Sequence, residues 1–107
     1  MDKRMKYIIV FVTVPNNKFK RIIDQLLTKK LVACINVIKN VSSYYWWENK
    51  ICTDKESLLI IKTKKVLFKK LLNEIKKVHP YKVPEIISIK MSEGNKEYLN
   101  WIDSVTI

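Results

Sequence analysis

The stretch Tyr44-Tyr45-Trp46-Trp47-Glu48 places four large aromatic side chains in a row, followed by a carboxylate. In an extended strand neighbouring side chains point to opposite faces, so Tyr45 and Trp47 share one face and the other two rings share the opposite one. Each ring buries roughly 150 to 250 Å², so either pair left in water would expose about 300 to 500 Å² of apolar surface. Both faces therefore need cover, which predicts association with another chain or with a ligand.

The hydrophobic pattern around this stretch predicts a long hairpin. Residues 31–47 are rich in Val, Ile and aromatics and form one strand, with a kink expected near Asn40. Residues 48–50 form the turn, and residues 51–63 return antiparallel.

The two cysteines are predicted to be free thiols. With the hairpin centred on its turn, Cys52 lies near Tyr45 and Cys34 lies near Thr63, which is too far apart for an intrachain disulfide. A secreted scaffold of this size would usually carry more cysteines, so a reducing compartment is expected.

The rest of the chain supplies the other elements of one domain over residues 1–107. Residues 7–14 and 86–91 are predicted to be strands, and residues 64–78 a helix. Another helix follows the first strand; Asn16 or Asn17 is its predicted cap, and its apolar stripe is Phe19, Ile22, Ile23, Leu26 and Leu27. A short C-terminal helix is capped by Asn95. Gly94 is the position most free to take a positive φ. The order βαββαβ predicts an α+β, ferredoxin-like fold with an antiparallel sheet and two helices on one face.

That arrangement leaves one face of the sheet without helices. The predicted strands nevertheless carry apolar residues in both parities; on residues 7–14, for example, Ile8 and Val10 alternate with Ile9 and Phe11. An apolar sheet face of this size is usually covered. Another copy of the same sheet is the simplest cover.

The net charge of +11 raises the possibility of nucleic-acid binding. Of the 21 basic residues only Arg4 and Arg21 are arginine, the usual bidentate reader of guanine and phosphate, and the lysines are spread over every segment. A solvated lysine surface is favoured, with a lysine-rich nucleic-acid-binding module as the less favoured alternative.

The first residues resemble a signal peptide, because Lys3, Arg4 and Lys6 precede the apolar run over residues 7–14. No small-residue cleavage site follows, so the run is better used as a buried strand. No stretch approaches the roughly 20 apolar residues of a membrane span. A cytoplasmic protein without a membrane partner is expected, although an organelle is also compatible with the sequence.

The usual catalytic patterns are missing from the sequence. There is no glycine-rich phosphate loop and no Cys-x-x-Cys, and the single histidine leaves no candidate Ser-His-Asp set. The chain is therefore expected not to be an enzyme.

Several phrases match one family in order and spacing. They are Thr13-Val14-Pro15, Leu31-Val32-Ala33-Cys34-Ile35-Asn36, Tyr45-Trp46-Trp47-Glu48-Asn49-Lys50-Ile51, Leu59-Ile60-Ile61-Lys62-Thr63, His79-Pro80-Tyr81-Lys82-Val83-Pro84-Glu85-Ile86-Ile87, and Gly94-Asn95 with Tyr98-Leu99-Asn100-Trp101-Ile102. From about Tyr7 to its end the chain resembles the CutA family of divalent-cation tolerance proteins. The resemblance implies a ferredoxin-like homotrimer linked to copper and other divalent cations, cytosolic or in some eukaryotes organellar, with no established catalytic reaction.

The resemblance also implies candidate metal ligands. Some bacterial members carry a cysteine and a second histidine where this chain has Val12 and Val78, so His79 alone remains as a ligand for Cu(II) or another divalent cation. Three copies in a trimer, or the addition of Cys34, Glu85 or Glu48, would have to complete a site. The alternative is a helix-terminating histidine whose ring satisfies a buried backbone group.

A second candidate site is a cleft or interface lined by aromatic and charged residues, namely Trp46, Trp47, Glu48, Lys62, Tyr81 and Glu85. Interface packing is favoured for these rings, yet small-ligand sites often sit at subunit boundaries. The alternative function is therefore a sensing or signalling trimer that binds an anion or metabolite in intersubunit clefts. Pro80, Pro84 and Glu85 are expected mainly to shape the crossing from the second helix to the last strand.

Overall fold

Four antiparallel strands form one sheet in the computed structural model, which describes residues 6–107. The strands are β1 (Tyr7–Pro15), β2 (Cys34–Trp47), β3 (Lys50–Lys64) and β4 (Ile86–Lys90), in the spatial order β2-β3-β1-β4. The helices are α1 (Lys20–Thr28), α2 (Phe68–Val78), which follows a 3₁₀ turn over Lys65–Leu67, and α3 (Lys96–Val105). The predicted βαββαβ order with a C-terminal helix is confirmed.

The core lies between one face of the sheet and the helices α1 and α2. It combines alternate residues of β1 and β3 with the apolar stripes of the two helices: Ile8, Val10, Val12, Val14, Leu59, Ile61, Ile22, Leu26, Leu71 and Ile75. Each of these side chains is almost completely buried. Leu27 was expected on the apolar stripe of α1. It is exposed, whereas Ile22 and Leu26 of the same helix are fully buried.

The opposite face of the sheet, called the open face below, is also apolar. Phe11 pairs with Ile60 on one side and with Ile87 on the other, which places all three on this face. Ile87 and Ile89 are half exposed in the single chain. The open face is apolar as predicted, but the expectation that it lacks helix cover is wrong in part. Tyr7 lies on the same side as Ile9 and Phe11, is buried, and donates its hydroxyl to Asp103 of α3, so α3 covers the part of this face near the start of β1.

The hairpin of β2 and β3 extends well beyond its neighbours. Strand β1 ends at Pro15, opposite Glu56, so residues 42–47 and 50–55 pair only with each other. Glu48 and Asn49 both have positive φ, 49° and 62°, and connect the strands as a two-residue type I′ turn. Among the described residues no third strand pairs with this arm, and a two-stranded hairpin alone is marginally stable in water.

A bulge in β2 produces the kink predicted near Asn40. The register shifts between Ile38 and Val41, and Asn40 has a φ of 60°. The Asn40 backbone N–H donates to Asn16 Oδ1 at 3.1 Å, and the Ser57 hydroxyl donates to the same oxygen at 3.0 Å. The prediction that Asn16 or Asn17 caps α1 is therefore wrong, since Asn16 braces the bulge and α1 has no side-chain cap.

The C-terminal helix α3 is capped at its N-terminus. Asn95 Oδ1 accepts the Glu97 backbone N–H at 3.0 Å, which confirms the predicted cap. Gly94 does not take a positive φ; its lack of a side chain instead leaves room for Leu99, whose Cδ2 would lie 3.1 Å from an added Cβ. Among residues 6–107, no helix is long and apolar enough to cross a bilayer.

Candidate functional site

The loop between α2 and β4 and the aromatic hairpin border a pocket of about 700 Å³ on the open face. Neighbouring side chains in a strand point to opposite faces. Because Val14 and Ser57 are buried on the helix-covered face, Thr13 and Glu56 lie on the open face and form part of the pocket floor. The walls come from two segments: residues 43–47 of β2, and the stretch around Tyr81 in the loop.

His79 ends α2 and anchors the loop to β1. Its backbone leaves the helical region, with a ψ of 132°, as expected for a residue before proline. The Tyr81 backbone N–H donates to His79 Nδ1 at 3.1 Å, and His79 Nε2 lies 2.8 Å from the Thr13 carbonyl oxygen. Since Nδ1 accepts, the proton lies on Nε2, which donates to Thr13. His79 is buried, 8% exposed, and both of its ring nitrogens are engaged.

The structure does not bring the candidate metal ligands His79 and Cys34 together within one chain. Cys34 pairs with Lys62 in the sheet, next to Ile9, and so lies about 13 Å along the strands from Thr13 and the His79 ring. Val12 is part of the hydrophobic core, and Val78 packs against that core. Within residues 6–107, no group of three or more His, Cys, Asp or Glu side chains is placed to hold a metal ion. The geometry matches the alternative reading of His79, a ring that satisfies a buried backbone carbonyl.

A buried carboxylate that sequence reasoning missed lies on the pocket floor. Glu56 is only 6% exposed, and its Oε2 accepts the Tyr81 hydroxyl proton at 2.7 Å. Burial first, and then the bond to Glu56, raise the pKa of Tyr81 well above its ordinary value. The rings of His79 and Tyr81 pack at 4.9 Å between centroids. The loop is thus tied to β1 through His79 and to β3 through Tyr81.

A second tyrosine–carboxylate pair lies farther along the hairpin. The Tyr45 hydroxyl donates to Asp54 Oδ2, and this bond, followed by burial, raises the pKa of Tyr45 to about 12. Tyr45 pairs with Cys52 in the hairpin, as the sequence predicted. Asp54 is therefore its diagonal neighbour on the same face.

Four of the six predicted cleft residues border this pocket: Trp46, Trp47, Tyr81 and Glu85. The other two do not. Glu48 occupies the hairpin turn, and Lys62 lies beside Cys34 in the other half of β3. The charged run Asp54-Lys55-Glu56, just before the apolar run Leu58 to Ile61 of the same strand, was the available signal for the missed acids.

The fold and the loop–hairpin pocket define a ferredoxin-like α+β protein with a long aromatic hairpin. The family model described as CutA1 divalent ion tolerance protein matches residues 8–105. The chain belongs to this family.

Individual relatives agree with this assignment. The chloroplastic protein CutA 1 of Oryza sativa is 44% identical over 92% of this chain and 56% of its own length, and the divalent-cation tolerance protein CutA of Thermus thermophilus is 40% identical over 88% and 92%. This chain therefore spans little more than half of the plant relative but nearly all of the bacterial one. The crystal structure of CutA1 from Oryza sativa has a TM-score of 0.93 at 41% identity, covering 99% of this chain and 98% of that chain.

Proposed function

We propose that this chain is a homotrimeric, non-catalytic member of the divalent-cation tolerance family. The observation that carries the proposal is the hairpin arm, whose residues Tyr44 and Trp46 are 73% and 71% exposed in the single chain. Covering one pair of these rings is worth on the order of 10 kcal/mol at most, by area. That gain is available only from another copy or another partner.

Threefold association fits the shape of the sheet. Strands β2 and β4 are its two different edges, so a contact between β2 of one copy and β4 of the next is heterologous. Heterologous contacts close into rings when the rotation permits, and three is the number implied by the family resemblance.

A binding role is favoured over catalysis by the chemistry of the pocket. The imidazole of His79 is committed to the Thr13 carbonyl and the Tyr81 N–H, which removes the one histidine as a general base. Glu56 shares its carboxylate with the Tyr81 hydroxyl. No described residue pairs a nucleophile with a free base here. Because no three His, Cys, Asp or Glu side chains of residues 6–107 lie together, divalent cations are proposed to bind weakly, at about micromolar affinity or above.

Light scattering after gel filtration tests the assembly. The expected result is a single species of three chain masses at micromolar concentration. A stable, monodisperse monomer would refute the proposal.

The proposed compartment is the cytoplasm, and cell fractionation tests it. Among the relatives, one from Oryza sativa is named chloroplastic and one from Archaeoglobus fulgidus is named periplasmic.

A second candidate function is small-ligand binding in the pocket. Its volume lies in the range of ordinary ligand sites, and aromatic walls converge with a few polar groups. A thermal-shift screen of metabolites tests this candidate, because a ligand that binds the native state raises the melting temperature.

A further inference from the structure

The two helices that cover the core carry most of the excess positive charge of the chain. The layer they form, called the helix layer below, comprises residues 18–30 and 65–78. It contains ten of the 21 basic residues and two of the 10 acidic ones, so it accounts for +8 of the net charge of +11. All ten basic side chains are exposed: Lys18, Lys20, Arg21, Lys29, Lys30, Lys65, Lys69, Lys70, Lys76 and Lys77.

Ion pairs join the two helices into one surface. Lys29 Nζ, just after α1, lies 2.8 Å from Glu74 Oε2 on α2, and Lys77 Nζ lies 3.0 Å from the other oxygen of this carboxylate. Glu74 is thus already shared between two lysines. Asp24, the other acidic residue of the layer, lies one helical turn after Arg21. The surface is therefore continuous and stays positive across both helices.

The proposed homotrimer leaves this surface facing solvent. Helices α1 and α2 pack against one face of the sheet, where their apolar stripes form the core. The contacts proposed between copies use the hairpin arm, the open face and the sheet edges β2 and β4 instead. Each copy in the assembly therefore presents its own helix layer to a partner.

The helix layer offers charge with little apolar surface. Its two aromatic rings, Phe19 and Phe68, pack against the core, and within residues 18–30 and 65–78 the exposed apolar side chains are Leu27 and Val66. A helix that binds a bilayer inserts an apolar face, and a single-stranded nucleic acid stacks its bases on exposed aromatic rings. Neither partner matches this surface.

The phosphates of a nucleic-acid duplex match it better. Lys69 and Lys76 lie two turns apart on α2, about 10 Å along its axis, and α1 carries Lys20 and Arg21 on the neighbouring helix. Since a duplex carries one negative charge per about 1.7 Å of its axis, a surface about 15 Å long meets roughly 3 to 5 phosphates on the facing side. Contacts to phosphate fix a duplex in place without reading its bases.

We propose that the helix layer is a docking surface for the sugar–phosphate backbone of a nucleic-acid duplex, contacted without sequence preference by the lysines of α1 and α2. Such binding is independent of the metal and small-ligand roles proposed for the chain. It confines the nucleic-acid alternative drawn from the sequence to one surface and to backbone contacts.

Fluorescence anisotropy tests the chemistry of binding. Two labelled DNA duplexes of about 20 base pairs and unrelated sequence are titrated with the full chain over a salt series. We expect equal affinities for both duplexes and a slope of log K against log salt of about −3 to −4.5, which lowers the affinity roughly hundredfold between about 50 and 200 mM salt. A tenfold preference for one sequence, or no binding at about 50 mM salt, would overturn the proposal.

Paired substitutions test the surface at constant net charge. Lys69→Gln with Lys70→Gln removes two exposed cations from α2, and Lys82→Gln with Lys96→Gln removes two exposed cations outside the layer. The α2 pair should lower the affinity at about 50 mM salt by about tenfold or more and make the salt slope shallower by about 2. The control pair should change the affinity by less than about threefold, because charges away from the contact are largely screened. Light scattering checks that both variants keep the assembly of the wild type.

A second pair and a second probe complete the test. Lys20→Gln with Arg21→Gln on α1 should weaken duplex binding as the α2 pair does, and binding equal to wild type would overturn the helix layer as the docking surface. Equal losses in the layer pairs and the control pair would show that binding follows net charge alone, which also overturns the proposal. Vesicles of phosphatidylserine and phosphatidylcholine that bind more tightly than the duplex at the same salt would assign the layer to a membrane instead.

Discussion

The Tyr81 hydroxyl lies 2.7 Å from Glu56 Oε2 and ties the loop after α2 to the point where the hairpin arm leaves the sheet. Glu56 pairs with Pro15, the last residue of β1, and with Val41, the first residue after the bulge in β2. One hydrogen bond therefore joins the loop to the junction of three strands.

Removing this hydrogen bond should destabilise the fold. Tyr81→Phe leaves the ring in place but deprives a buried carboxylate of its donor, so we expect the free energy of unfolding to fall by about 1 to 3 kcal/mol. Urea denaturation at fixed protein concentration measures the change. Thr28→Val, which removes an exposed hydroxyl on α1, is the control and should change stability by less than about 0.5 kcal/mol. Equal effects of the two substitutions would contradict the role given to Glu56.

Alkaline pH should weaken the attachment of α3 to β1. The Tyr7 hydroxyl donates to Asp103, and burial followed by this bond raises the pKa of Tyr7 to about 12. A raised pKa favours the neutral phenol in the folded state. The resulting stability is fully present below the unfolded value near 10 and is lost as pH rises through about 12.

Denaturation at several pH values checks this expectation. The wild-type free energy of unfolding should decline between about pH 10 and pH 12 more steeply than that of Tyr7→Phe. Absorbance of the tyrosinate band follows the titration directly. Identical slopes for the two proteins would mean that another group, such as a lysine, controls the alkaline limit.

Removing one aromatic ring from the hairpin should impair assembly. Trp47→Ala removes a large side chain from the face that a second copy is proposed to cover, and we expect the assembled protein to lose roughly 3 to 5 kcal/mol. Leu27→Ala is a matched control because both side chains are 44% exposed in the single chain, but Leu27 lies on α1. Sedimentation velocity over a dilution series should show dissociation of the first variant only. A trimer equally stable in both variants would place the interface elsewhere.

The hairpin turn should tolerate, and benefit from, a glycine. Glu48 has a φ of 49°, in the left-handed region that glycine adopts without strain. Glu48→Gly should therefore raise the free energy of unfolding by about 0.5 to 1 kcal/mol. Glu93→Gly, at a residue without positive φ, is the comparison and should give no gain. Loss of stability in Glu48→Gly would show that its carboxylate makes a contact, in the assembly, that a single chain does not have.

The hydrophobic periodicity of short segments determined which elements of the fold could be predicted from the sequence. The order of strands and helices follows from periods of two and 3.6 residues, and the position of Cys52 near Tyr45 follows from a hairpin centred on residues 48–50. The turn itself is one residue shorter than predicted, because Lys50 pairs with Trp47. The site depends on contacts between distant residues. The bond between Tyr81 and Glu56 requires the loop to fold back over the end of β1, and the loss of Asn16 as a helix cap requires the bulge at Asn40. Neither contact leaves a periodic signal.

His79 provides the sharpest test of the metal hypothesis, because the family resemblance makes it a ligand whereas the structure engages both of its nitrogens. A metal ion would have to displace either the Thr13 carbonyl from Nε2 or the Tyr81 N–H from Nδ1. We therefore expect Cu(II) or Zn(II) to bind wild type and His79→Ala with the same affinity, micromolar or weaker. The substitution should lower the free energy of unfolding by about 1 to 3 kcal/mol, since it leaves a buried carbonyl without its donor.

Isothermal titration with Cu(II), paired with thermal denaturation of both proteins, separates the two roles. Cys34→Ser is the companion variant, because Cys34 lies in the other half of the sheet and donates its thiol to Asn36 at 4.0 Å, a weak contact whose loss should cost little stability. Submicromolar binding that disappears in His79→Ala would establish the ring as a ligand and refute the structural role. Binding that disappears only in Cys34→Ser would move the metal to the thiol. Equal, weak binding in all three proteins, with a lower melting temperature for His79→Ala alone, is the result that the hydrogen bonds of His79 predict.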